Sequence, residues 1–229
     1  MKTIGLLGGM SWESTQTYYR LLNENVKTAL GGLHSAKVVL YSVDFAEIEA
    51  LQHQGNWDET GRILSAAARA VESAGAEVLL IGTNTMHKVA PHIEATISIP
   101  LLHIADATAQ VLLDARIDRI GLLGTRFTME QAFYRERLEA KGIAVLTPNA
   151  TQRDRIHRII YEELCQGVIS ERSRAEYLAV VNDLAAHGAQ GVILGCTEIG
   201  LLIQQAHTPV PLYDTTRIHA EQAVAYALG

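Results

Sequence analysis

The chain is poor in cysteine, in positive charge and in long apolar runs, and each shortage narrows what it can be. Two cysteines, Cys165 and Cys196, are too few for a disulfide framework; a reducing compartment would keep both as thiols, and a cytoplasmic setting is expected. Nineteen Lys and Arg against 25 Asp and Glu leave a formal net charge of −6 with no basic block. Nothing therefore advertises nucleic acid or an anionic membrane surface as a partner. The apolar start is broken by Ser11, Trp12 and Glu13 before a secretory or membrane-spanning run could form. Gly5, Gly8 and Gly9 do not follow dinucleotide-binding spacing, and no Lys-Ser/Thr of a phosphate loop follows them. Nine histidines come without a Cys/His cluster, and His87 and His92 fall on different helix faces, so no metal is expected.

What is present is apolar and repetitive. With 48% hydrophobic and 19% charged residues over 229 positions, the chain can bury a sizeable core. Short apolar runs, glycine turns and longer amphipathic segments alternate, which predicts parallel strands joined by helices. Strands are expected at 3–7, 36–42, 78–81, 101–103, 119–123, 144–146, 191–194 and 212–213. Helices are expected at 14–30, 57–74, 87–95, 105–115, 129–141, 154–166, 170–187 and 217–227.

The sequence also matches itself. Ile-Gly-Leu-Leu-Gly at 4–8 recurs word for word at 120–124, Tyr-Tyr-Arg at 18–20 is echoed by Phe-Tyr-Arg at 133–135, and 75–82 resembles 188–195. Matched pairs in the same order at nearly the same spacing point to a duplication, beyond the likeness that all βα units share. The expected fold is α/β, with two similar domains of parallel sheet flanked by helices, related by a pseudo-two-fold. Residues 1–100 with 212–229 would form the first domain and 101–211 the second. Ligands of open α/β sheets bind beyond the carboxyl ends of strands, so the cleft between the domains is the expected site.

The residue just past the matched strand is Thr83 in the first half and Cys196 in the second, followed by Asn84-Thr85 and Thr197-Glu198. A thiol at a strand-to-helix junction sits near backbone N–H groups and a positive helix end, which would lower its pKa and make it a base or nucleophile. A buried structural cysteine is the commoner fate of such a residue, but Cys196 follows its apolar run and stands among polar neighbours. Cys165, on a helical pattern, is read as packed and inert. Asn84, Thr85 and Thr197 suit helix capping as well as ligand binding.

Gly8-Gly9-Met10, Thr83-Asn84-Thr85-Met86-His87, Gly124-Thr125 with Thr128-Met129, and Gly195-Cys196-Thr197-Glu198 resemble the signature segments of the aspartate/glutamate racemase family, over essentially the whole chain. The resemblance implies racemisation of an amino acid, aspartate, glutamate or a broader set, by two bases on opposite faces of the α-carbon, without pyridoxal phosphate or other cofactor. The family's first cysteine is replaced here by Thr83, whereas Cys196 matches the second, which serves the L-enantiomer. By resemblance, Asn84, Thr85 and Thr197 would hold the α-carboxylate and ammonium. Met10, Gln52, Thr125 and Thr128 would line the substrate, and Glu198 would orient thiol or ammonium. A carboxylate so close would also raise the thiol pKa. Arg126 and Lys88 lie near the motifs without compelling a role, and His87 could tune Thr83 or merely pack. A homodimer is expected. Sister reactions of the fold (hydantoin racemase, decarboxylase, dicarboxylate cis-trans isomerase) and a non-catalytic amino-acid-binding role stay open beside the racemase.

Overall fold

A computed structural model describes all 229 residues. The chain divides into two compact α/β units, Met1–Ile104 with His219–Gly229, and Ala105–Ile218. No helix is long and apolar enough to cross a membrane.

The first unit is built on a three-stranded parallel sheet, β1 (Ile4–Gly8), β2 (Val38–Ser42) and β3 (Val78–Ile81), in the order β2-β1-β3. Successive side chains of a strand point to opposite faces, and both faces here are covered. Ile4, Leu6, Val78 and Leu80 pack with Tyr18, Leu22 and Val26 of helix Trp12–Leu30 and with Ala220 and Val224 of the last helix. Leu7, Leu79 and Ile81 pack with Ile48, Leu64 and Val71 of helices Phe45–Gln54 and Trp57–Ser73. Burial on both faces is why β1 and β3 read as unbroken apolar runs in the sequence, whereas β2 at the edge is partly exposed.

The second unit carries four parallel strands, β4 (Arg119–Gly124), β5 (Ala144–Leu146), β6 (Val192–Gly195) and β7 (Leu212–Asp214), ordered β5-β4-β6-β7. Leu123, Val192 and Leu194 share a core with Ile156, Ile160, Tyr177, Val181 and Leu184 from helices Ala150–Glu162 and Glu171–Ala186.

The repeated Ile-Gly-Leu-Leu-Gly has the same physical use in both units. A Cβ at Gly5 would lie 2.4 Å from Val71 Cγ1, and one at Gly121 3.0 Å from Leu184 Cδ1, so each glycine lets a helix press against the strand. A Cβ at Gly8 would lie 2.5 Å from Thr15 Cγ2, and one at Gly124 3.1 Å from Thr128 Cβ. Each repeat therefore ends by admitting a threonine from the segment that follows.

Several sequence expectations differ from the structure. Strand 212–213, expected in the first domain, pairs with β6 and extends the second sheet, and the chain rejoins the first unit only at His219. Residues 101–103 make a single bridge, Leu79 to Leu101, too short for a strand. The helix expected at 129–141 is split into Arg126–Glu130 and Ala132–Glu139 by Gln131, whose backbone is extended. Helix Phe45–Gln54 went unpredicted because only Ile48 and Gln52 of it are buried, one turn apart, leaving little apolar period to see.

The return of the chain is tied down by His219. Its Nε2 lies 2.8 Å from the Leu102 carbonyl and its Nδ1 2.8 Å from the Tyr18 hydroxyl. A carbonyl only accepts, so Nε2 carries the proton and Nδ1 accepts from Tyr18. Burial pushes the His219 pKa down to about 4. The unfolded chain, with an ordinary histidine near 6.5, therefore binds this proton first. The stabilisation is present above pH ~6.5 and is lost as pH falls through about 4, and amounts to roughly 3 kcal/mol at most. The stability gap between the wild type and His219→Gln in urea titrations should be widest at neutral pH and shrink across that window. A gap that does not change with pH would show that the ring is not held neutral.

Candidate active site

In the first unit the carboxyl ends of β1 and β3 lie side by side, with the Gly82 N–H donating to the Leu7 carbonyl at 2.8 Å. Gly9 follows β1 with φ +90°, and a Cβ there would meet Val43 O at 2.3 Å, so only glycine lets the chain pass. Met10 and Ser11 come next and are buried, and Ser11 caps helix Trp12–Leu30. Beyond β3, Thr83 is half-buried in a bend, and Asn84 and Thr85 are buried. Gln52 is buried too, its Nε2 3.8 Å from Met86 Sδ, and Met10, Ile48 and Met86 share one apolar cluster. The burial of Gln52 runs against its usual exposure. Met10, Gln52 and the Thr83 segment are thus gathered at one end of one sheet.

In the second unit Gly124 and Gly195 are register partners at the ends of β4 and β6. Thr125 caps the next turn by accepting from Thr128 N, and the two hydroxyl oxygens are 3.3 Å apart. Thr128 packs on Gly195, its Cγ2 3.4 Å from where a Cβ would stand. Cys196 follows, 7% exposed. Its thiol donates to Glu198 Oε2 at 2.8 Å, and the Thr197 hydroxyl donates to the same oxygen at 2.9 Å. Thr125, Thr128, Cys196, Thr197 and Glu198 are thus also brought together.

Two expectations about this end are corrected. The segment after Cys196 is a helix of only four residues, Ile199–Leu202, and that after Thr83 a five-residue 3₁₀ turn, Thr85–Val89. So few aligned peptides make a weak positive end. Nor is the Cys196 pKa lowered: burial, and then the charge and hydrogen bond of Glu198, push it well up. The Asn84 side chain makes no capping bond to its turn, and the Thr197 hydroxyl is given to Glu198. Cys165 lies half-buried in the 3₁₀ turn Leu164–Gln166, packed against the core that holds Cys196.

The two cations near the motifs are engaged elsewhere. Arg126 pairs with Asp154 at 2.7 Å on the surface, a contact worth about 0–1 kcal/mol. Lys88 lies 3.9 Å from the Trp57 ring centroid, and burial lowers its pKa. His103 and His219 stand against His87, a grouping that no sequence spacing announces.

Each unit thus ends its strands in glycine followed by polar side chains, with hydroxyls and an amide in the first and a thiol bonded to a carboxylate in the second. The profile of the Asp/Glu/hydantoin racemase family matches residues 7–223. The chain belongs to that family. A Yersinia pestis protein, provisionally described as an Asp/Glu racemase, is 59% identical with a TM-score of 0.92, each chain covered over 100%. An aspartate racemase homologue from Pyrococcus horikoshii OT3 is 34% identical with a TM-score of 0.86, again over 100% of both chains. The broad specificity amino-acid racemase RacX of Bacillus subtilis is 22% identical over 99% of this chain and 98% of its own. The chain is a racemase-family protein, and amino acids are the substrates of such racemases.

Because Glu198 helps to raise the Cys196 pKa, removing its charge should lower it. In a Cys165→Ala background, the alkylation of Cys196 by iodoacetamide should reach half its maximal rate above the ordinary thiol value of about 8.5. Glu198→Gln should move that midpoint down. A midpoint that does not move would remove Glu198 as a cause.

Proposed function

We propose that this protein racemises an amino acid, aspartate, glutamate or a broader set, without a cofactor, with Cys196 as the base for the L-enantiomer and Thr83 serving the opposite face. The observation that carries this reading is the buried hydrogen bond from the Cys196 thiol to Glu198 at the end of β6. A thiol whose pKa is raised needs somewhere to send its proton. As the thiol proton passes to Glu198 Oε2, which already accepts it, the sulfur takes the α-proton of the L-amino acid. Glu198 gives its proton up to water while another is delivered to the opposite face, so the protons balance over the cycle. The Thr197 hydroxyl on the same oxygen holds the carboxylate in place.

On the other face an alcohol is far harder to ionise than a thiol, so Thr83 returns a proton through a water or a neighbouring group. Turnover is lopsided as a result, with exchange from the L side outrunning net inversion. Asn84, Thr85 and Thr197 would bind the α-carboxylate and ammonium, and Met10, Gln52, Thr125 and Thr128 would line the substrate. Arg126, paired with Asp154, and Lys88, over the Trp57 ring, do not point to a clamp for a second carboxylate, which leaves room for breadth in the side chain accepted. The working form is proposed to be a cytoplasmic homodimer. Thr83 in place of a thiol favours one rival, an amino-acid-binding protein without turnover.

Proton NMR of L-aspartate, L-glutamate and neutral L-amino acids in D₂O, with chiral analysis alongside, separates these. Loss of the α-proton signal should precede the D-form, and Cys196→Ala or Cys196→Ser should slow both by roughly 10²- to 10⁴-fold. Exchange retained in those variants would overturn the role of Cys196, and silence of the wild type across the panel would leave a sister reaction or binding.

A further inference from the structure

His87 is buried against the main chain of Thr83, with Nδ1 2.8 Å from the Thr83 carbonyl oxygen. Its other nitrogen, Nε2, lies 3.2 Å from the backbone nitrogen of Ile104, which donates to it. A backbone N–H can only donate, so Nε2 must present its lone pair, and the single ring proton sits on Nδ1 and is given to the Thr83 carbonyl. Protonating the ring would turn Nε2 into a donor facing a donor. The His103 ring is tilted against His87 at 4.4 Å between centroids, and the buried His219 ring stands edge-on at 5.9 Å.

We infer that His87, as the neutral Nδ1–H tautomer, is the positioning residue for Thr83: it fixes the Thr83–Asn84 peptide plane and thereby the direction of the Thr83 hydroxyl. Thr83 needs such an anchor. It lies in a bend outside the ladder of β3, only half-buried, where neither strand nor helix pairing sets its backbone. A hydroxyl that must pass a proton to one face of an α-carbon tolerates little displacement, since misplacement by about 1 Å can cost 100-fold in rate. The inference rests on the racemase reading for its consequence, but not for the tautomer.

Two measurements test it. In ¹⁵N-labelled full-length protein, His87 should show a protonated Nδ1 and a bare Nε2 at neutral pH; an imidazolium, or a proton on Nε2, would overturn the inference whatever the protein catalyses. In activity assays, His87→Ala should lower net inversion by about 10- to 100-fold while exchange from the L side, which depends on Cys196, stays near wild type. His87→Asn keeps a donor where Nδ1–H stood and should recover most of the inversion. It still leaves the Ile104 N–H without its acceptor, so it should stay less stable than wild type to heat. Equal loss of exchange and inversion in His87→Ala, or an Asn variant no better than Ala, would reduce His87 to a packing residue. A wild type that shows neither exchange nor inversion would overturn the racemase reading and the positioning role together, and an active wild type with unaffected variants would overturn the positioning role alone.

Discussion

A side chain on Gly195 would stand 2.6 Å from the Leu123 carbonyl, and one on Gly124 2.7 Å from the carbonyl of Gly195 itself, so β4 and β6 approach this closely only because both residues are glycine. That approach fixes what comes next on each strand. Thr125 and Thr128 turn away from one end and Cys196 leaves the other, with Thr128 packed against the residue that precedes the thiol. The first unit uses the same device, where Gly8 admits Thr15 and the Thr15 hydroxyl accepts from Gly9 N at 2.8 Å. In both units glycine at the strand end exchanges a side chain for a crowded, hydrogen-bonded turn, and the polar residues of interest are held by these turns.

The second consequence is electrostatic. The crowding that positions Cys196 also removes it from water, and desolvation is the largest reason its pKa rises. A thiol placed there for convenience of packing would need no acceptor, since a thiol is a weak donor and behaves as a small hydrophobe. Instead a buried carboxylate is set 2.8 Å away and braced by Thr197. Burying an acceptor of that strength beside a thiol is unfavourable for folding and useful for moving a proton, which is why the pair weighs more than either residue alone.

Much of this was legible in the sequence, for identifiable reasons. Parallel strands buried on both faces write themselves as apolar runs, and the glycines that admit helices and threonines recur as identical words at 4–8 and 120–124. The polar residues after those words and after the matched segments 75–82 and 188–195 were therefore findable, whereas Gln52, whose burial no local pattern announces, was indicated only by the family resemblance. What was not legible is what depends on distant packing. The direction of the Cys196 pKa shift turns on desolvation, which residue spacing does not reveal, and the length of the helix after it is cut short at Ile203, whose extended backbone no capping residue marks. The membership of 212–214 in the second sheet follows from a pairing with β6, and any apolar tripeptide near that point would have read alike.

The duplication also carries a difference that sequence comparison alone reduces to one substitution, Thr83 against Cys196. The structure shows that the supports differ as well. After β6 the polar partner goes to the side chain: Glu198 accepts from the thiol and leaves the main chain to a short helical turn. After β3 the contact goes to the main chain: His87 lies against the Thr83 carbonyl and not its hydroxyl. On the proposed reading, a thiol that gains and loses a proton is served by a carboxylate acceptor at its sulfur. A hydroxyl that stays neutral gains nothing from such a group and needs its backbone held. The two ends have thus diverged as coherent sets, and restoring a cysteine at position 83 would return a thiol to an end that lacks a carboxylate placed as Glu198 is placed for Cys196.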